Sequence, residues 1–80
     1  MTRQEPPTGA DGGTSVQRTA DRLALALEDV GFDVGRAFPM LRSGTNRDGA
    51  PFVELGTVTE AVASGLATVL SEAARLGVTL

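Results

Sequence analysis

The sequence contains no cysteine, histidine, tryptophan or tyrosine, and each absence excludes a class of chemistry. Without cysteine there is no disulfide to stabilise a small fold and no thiolate to hold a metal. Without histidine the chain lacks the commonest metal ligand and the usual general base near neutral pH. Its aromatic residues are three phenylalanines, too few for the stacking surfaces of single-strand or sugar binding. We therefore predict a protein that is not an enzyme and that binds no metal or cofactor.

Lysine and isoleucine are also absent, so all seven basic residues are arginines. We interpret this bias as the codon usage of a GC-rich bacterial genome. No apolar run approaches the roughly twenty residues of a membrane span. The N-terminus also lacks the basic-then-apolar order of a signal peptide. These features predict a cytoplasmic protein without membrane contact, and the formal net charge of −3 disfavours duplex nucleic acid as its main partner.

The length of the chain, 80 residues, allows one domain at most. Residues 1–14 contain two prolines and several glycines but few large apolar groups, so we predict a disordered tail there. Residues 15–80 are then left for a single domain. A domain of that size buries only roughly 60% of its unfolded surface and is marginally stable without a staple. Because the chain has neither disulfide nor metal ligands, we predict that it self-associates as a homodimer.

The first predicted helix runs from a capping pair at Thr14 and Gln17 to about Val30. Its apolar residues recur with helical spacing and predict one buried face, formed by Val16, Ala20, Leu23, Leu27 and Val30. Leu25 lies off that face. Gly31 is placed to end the helix, and Phe32 stands where a Schellman motif packs an apolar residue against Leu27.

The second predicted helix begins near Val58, because Thr57 and Glu60 have the spacing of a capping box, and it ends at Gly77. Its apolar residues recur with helical spacing from Val58 and predict one buried face, formed by Val62, Leu66, Val69/Leu70, Ala73 and Leu76. Ala61, Gly65 and Thr68 form a line of small residues along the helix. A glycine inside a helix costs about 1 kcal/mol relative to alanine, so a close contact should offset it. That contact is either the first helix of the same chain or a dimer interface formed by Ala61, Gly65 and Thr68, and both alternatives stay open.

A β-hairpin is predicted between the helices. Its first strand spans Arg36–Arg42, with Pro39 making it an edge or irregular strand. A long loop of turn-forming residues follows at Ser43–Gly49, and the second strand spans Pro51–Leu55. A short strand at Val78–Leu80 is a further expectation. The predicted fold is therefore α+β: helix, strand, strand, helix, with two helices packed on an antiparallel hairpin that dimerisation completes.

Arg36, Arg42 and Arg47 cluster in the hairpin region and form the one candidate anion site, because guanidinium groups suit phosphate. The other interpretation is a solvated hairpin whose charges prevent aggregation. Neither a phosphate loop nor a metal-binding spacing of carboxylates occurs in the chain. We predict a non-enzymatic interaction or regulatory module that acts as a homodimer on an unidentified protein partner. The alternative is a nucleic-acid or phosphate-ligand binder that uses these arginines.

Overall fold

A computed structural model describes residues 11–80, with side chains from residue 15 onward. Three helices and two strands follow in the order α1 (Asp11–Asp29), α2 (Val34–Ala37), β1 (Arg42–Thr45), β2 (Pro51–Glu54) and α3 (Glu60–Arg75). The predicted α+β fold is confirmed, with one helix before and one helix after an antiparallel hairpin along the chain. Among the described helices, none is long and apolar enough to cross a membrane. Residues 1–10 of the predicted tail lie outside the described residues.

Helix α1 begins at Asp11, ahead of the predicted cap at Thr14, and therefore includes residues 11–14 of the predicted tail. Its apolar face is the predicted one except at Val30, which is 50% exposed and does not belong to the buried face. Ala20 and Leu27 are buried, with 5% and 6% of their surface exposed, while Val16 and Leu23 are half-buried. With this face α1 packs against both strands of the hairpin, and that contact is the main layer interface of the fold.

Helix α1 ends in the predicted Schellman motif. Gly31 adopts a left-handed φ of 111°, which a residue without a Cβ reaches at little cost. The amide of Phe32 donates to the carbonyl of Leu27 at 3.0 Å, and the amide of Gly31 donates to that of Glu28 at 3.0 Å. The motif turns the Phe32 ring edge-on to Phe38, with ring centroids 5.5 Å apart and planes at 90°. A local cap thus delivers an aromatic side chain to the core.

The first strand is not where the sequence predicted it, and the assignment of a strand to Arg36–Arg42 is wrong. Residues 34–37 form the single turn α2, in which the amide of Ala37 donates to the carbonyl of Asp33 at 2.7 Å. The amide of Phe38 continues the turn by donating to Val34 at 2.9 Å. This path directs Phe38 inward, where only 2% of its surface is exposed. Strand β1 starts at Arg42 and so occupies part of the predicted loop.

The hairpin pairs β1 with β2 in an antiparallel register that sets Gly44 opposite Phe52. The Phe52 ring lies over Gly44, and a Cβ at position 44 would stand 2.5 Å from the ring. An aromatic ring that covers a strand glycine in this way compensates for its missing side chain. The loop is shorter than predicted, because the Asn46 side chain accepts from the amides of Asp48 and Ala50, each at 2.9 Å. The second strand is confirmed over Pro51–Glu54.

Helix α3 begins later than predicted. Its N-cap is Thr59, whose hydroxyl accepts from the amide of Val62 at 3.2 Å, so the assignment of this role to Thr57 is wrong. Gly77, with a φ of 96°, ends the helix as predicted, and the amide of Val78 donates to the carbonyl of Ala73. No strand forms at Val78–Leu80. The apolar stripe of α3 is half-buried, and no residue of the helix is fully buried.

The burial of two leucines on α1 generates a matched test. Leu27→Ala should lower the free energy of unfolding by about 2–5 kcal/mol, since Leu27 is buried. Leu25→Ala should change it by less than about 0.5 kcal/mol, since Leu25 is 61% exposed on the opposite side of the helix. Urea unfolding at one protein concentration measures both variants. Equal losses at the two positions would contradict the assignment of the buried face.

Candidate functional site

The two faces of the hairpin have different surroundings. Ser43 and Val53 point to the face that α1 covers, where the Ser43 hydroxyl donates to the Gln17 side-chain oxygen at 2.8 Å. The opposite face carries Arg42, whose guanidinium pairs with Glu54 at 2.7 Å and whose Cζ stands 5.7 Å from the centre of the Phe52 ring. Helix α1 therefore covers one face only, and the Arg42–Glu54 pair and the Phe52 ring lie on the other.

The three predicted anion-binding arginines occupy separate elements. Arg36 lies in the last turn of α2, Arg42 at the start of β1, and Arg47 in the loop beyond the end of β1. The length of β1 alone separates the backbones of Arg42 and Arg47 by on the order of 10 Å. Arg42 is engaged by Glu54, while neither Arg36 nor Arg47 forms an ion pair with a described residue. The three arginines thus lie on three separate elements, and the anion site stays a prediction.

The predicted small-residue line of α3 meets its own chain at one point. A Cβ on Gly65 would stand 3.4 Å from the Phe32 ring, so the glycine leaves room for that ring against the helix. Of the two alternatives for Gly65, the described contact is therefore packing within the chain, and its partner is the residue that caps α1. Ala61 and Thr68 are exposed, and the Thr68 hydroxyl donates to the Ser64 carbonyl at 3.2 Å. Their role in a dimer interface stays a prediction.

Eight large apolar side chains remain on the described surface. Among the residues whose side chains are described, three apolar residues are buried, and eight large ones are exposed: Leu25, Val30, Met40, Leu55, Leu70, Leu76, Val78 and Leu80. Leu25 lies in an open groove of about 550 Å³ along the outer side of α1. From the sequence, Leu25 was predicted to lie off the buried face of α1, whereas Leu70 and Leu76 were predicted to lie on the buried face of α3. Both are exposed, by 60% and 74%.

Helix α3 also lacks charge over most of its length. Between Glu60 and Glu72 no residue is charged, although the side facing away from the apolar stripe is exposed. That side is built from Leu70 and from small or weakly polar residues: Ala61, Ala63, Ser64, Ala67, Thr68 and Ser71. A helix on the surface of a monomer usually carries charged residues on its outer side. The absence of charged residues between Glu60 and Glu72 is visible in the sequence, but it was not used in the prediction.

A cluster of acidic side chains that could hold a metal ion does not occur among the described residues. No group of three or more acidic side chains converges there on a position that would hold a metal ion. Two carboxylates form surface ion pairs, Glu54 with Arg42 and Glu72 with Arg75, and the Asp21 carboxylate accepts from the Gln17 amide nitrogen at 3.0 Å. What the described surface offers is apolar area, backbone edges and one arginine stacked near an aromatic ring.

The contact between Gly65 and Phe32 is testable by a double-mutant cycle. Gly65→Leu should destabilise the parent but not the Phe32→Leu variant, because the smaller side chain makes room for the new one. We expect a coupling of about 0.5–3 kcal/mol for this pair, as for residues in direct contact. The matched cycle of Ala61→Leu with Phe32→Leu should be additive within about 0.5 kcal/mol. Chemical denaturation measures both cycles, and additivity at Gly65 would contradict the packing described here.

The chain matches no protein-family model, no curated protein and no solved structure. The contacts and exposed surfaces of its own residues are therefore the basis for a functional proposal.

Proposed function

We propose that the protein is a small, non-enzymatic interaction module of the cytoplasm that acts as a homodimer and regulates another protein by binding it. The observation that carries this proposal is the balance of apolar residues in the described chain, three buried against eight large ones exposed. Exposed apolar surface is the feature by which soluble proteins most often bind other proteins, where it forms a patch.

Covering the exposed apolar side chains would contribute a large amount of free energy relative to the stability of a small domain. Covering one exposed leucine or valine side chain is worth about 1.5–3 kcal/mol, whereas a whole domain is stable by only about 5–15 kcal/mol. Burying even part of the exposed apolar set in an interface would therefore add a large share of the total stability. A hairpin of two short strands has little stability of its own, and α1 covers only one of its faces. Association with a second copy supplies what this small domain lacks.

The uncharged outer side of α3 supports a protein partner in addition to the second copy. Charged residues are depleted in the centres of protein interfaces. Leu70, exposed by 60%, gives that side an apolar contact. Leu76 and Val78, at the end of the same helix, extend the apolar surface. This composition is suited to a partner with an apolar groove or helix.

The alternative function, binding of nucleic acid or a phosphate ligand, has weaker support. It relies on Arg36, Arg42 and Arg47, of which Arg42 is paired with Glu54. The formal net charge of −3 adds a general repulsion for polyanions.

The homodimer is tested by sedimentation equilibrium across a range of protein concentrations. We expect a mass of twice the 8.2 kDa of one chain at high concentration, with dissociation on dilution. The midpoint of thermal unfolding should rise with concentration, because association stabilises the folded state by mass action. A single species of 8.2 kDa at every concentration would overturn the homodimer.

Oligonucleotide binding separates the two functions. We expect the parent to show no binding to short single-stranded oligonucleotides at low salt. If it does bind, affinity should fall steeply with salt, and neutralising the arginines in a triple variant of Arg36→Gln, Arg42→Gln and Arg47→Gln should reduce the salt slope by roughly one unit per lost phosphate contact. Fluorescence anisotropy at two salt concentrations measures this. Binding by the parent that the triple variant loses would favour the alternative function.

A further inference from the structure

The two outer edges of the hairpin differ in their ability to accept another strand. The amide of Asn46 donates to the carbonyl of Ala50 at 2.9 Å, one position beyond the pair Thr45 and Pro51. The backbone groups of Asn46 and Ala50 therefore point toward each other across the hairpin. Inward and outward pairs alternate along an antiparallel ladder. The backbone groups of Ser43 and Thr45 on β1, and of Pro51 and Val53 on β2, therefore point outward.

Pro51 blocks one of these edges. Proline has no amide proton, and its ring occupies the place from which a neighbouring strand would accept a hydrogen bond. The outer edge of β2 is thus interrupted at the residue directly opposite Thr45. The outer edge of β1 carries no such block. In the described part of the chain, no backbone hydrogen bond from a turn, loop or helix reaches the outward groups of Ser43 or Thr45.

Helix α1 does not close the β1 edge either. A groove of about 260 Å³ opens between α1 and the start of β1, lined by Gln17 and Asp21 on the helix and by Leu41 and Ser43 on the hairpin side. The Thr45 side chain is exposed. No backbone hydrogen bond of the described residues occupies this edge, so its outward groups are available to an added strand.

We infer that the outer edge of β1 pairs antiparallel with β1 of a second copy, so that the sheet continues across the dimer axis in the order β2-β1-β1-β2. The inference rests on the proposed homodimer and names its contact. An antiparallel strand related by a two-fold axis is its own complement, which is the simplest closed arrangement for a homodimer. The remaining edges would both be β2 edges carrying Pro51, and the sheet would therefore stop at the dimer.

The residues at the centre of β1 suit this pairing. In the register that places Gly44 opposite Gly44 of the second copy, the outward N–H and C=O of Ser43 meet the C=O and N–H of Thr45 of the second copy. Ser43, Gly44 and Thr45 carry no charge, so no like charges face each other at the axis. The Phe52 ring already covers Gly44 on the outer face, and the paired strands would place the two rings on the same side of the enlarged sheet.

The test uses two substitutions at one exposed position of the full chain. Thr45→Pro removes an outward amide and places a ring on the β1 edge, while leaving the inward hydrogen bonds of the hairpin intact. Thr45→Val changes the side chain but keeps the amide, and serves as the control. By sedimentation equilibrium we expect the parent and Thr45→Val at twice 8.2 kDa and Thr45→Pro at 8.2 kDa, with the circular dichroism of the parent retained.

Amide hydrogen exchange in the unmodified protein gives a readout that does not depend on the proline variant folding. The amides of Ser43 and Thr45 should be protected at high concentration and lose protection on dilution. The amide of Gly44, bonded within the hairpin, should stay protected, and that of Val53 on the other edge should exchange rapidly at all concentrations.

The outcomes distinguish failure of the β1 contact from failure of the proposed homodimer itself. A parent that dimerises while Ser43 and Thr45 exchange rapidly, or a folded Thr45→Pro variant that still dimerises, would overturn the β1 contact and leave the homodimer in place. A parent that is monomeric at every concentration would overturn both. Concentration-dependent protection of Ser43 and Thr45 in a dimeric parent would support the inference even if Thr45→Pro failed to fold.

Discussion

The contact on which the tertiary structure depends is made by Phe32, the residue that follows the glycine cap of α1. Its amide closes the helix on the carbonyl of Leu27, its ring meets Phe38 edge-on, and its far side fills the space left by Gly65 of α3. One side chain thus joins the end of the first helix, the most buried residue of the chain and the last helix. The left-handed conformation of Gly31 makes this possible, because it turns the chain back onto the helix it has just left.

The two long helices contribute unequally to the buried interior. Helix α1 packs against both strands of the hairpin, whereas α3 contributes only half-buried residues. The apolar side chains that find no place in the interior remain on the outer sides of α1 and α3 and at the end of α3. A domain this small buries a limited fraction of its surface, and we propose that a second copy or a partner covers some of what remains exposed.

Features that depend on a few neighbouring residues were predicted correctly from the sequence. Features that depend on contacts between distant residues were not. The Schellman motif at Gly31 and Phe32, and the helix stop at Gly77, need only the local chain and were predicted correctly. The N-cap of α3 was assigned two residues early because Thr57 and Thr59 both precede the helix, and only Thr59 accepts from the amide of Val62. Strand β1 was missed because a serine, a glycine and a threonine, taken alone, are typical of a turn. They form a strand because Phe52 covers Gly44 from across the hairpin.

By itself, the sequence determined the α+β class, the buried face of α1, the glycine stops of α1 and α3, and the absence of cysteine and histidine chemistry, since these follow from composition and from the spacing of nearby residues. Only the tertiary structure decided that Gly65 receives Phe32, that Arg42 pairs with Glu54, and that Leu70 and Leu76 lie outside the core. It also decided which backbone groups of β1 point outward and that Pro51 interrupts the opposite edge. Each of these depends on strand register or on contacts between residues far apart in the chain, and the pattern of any single segment does not contain that information.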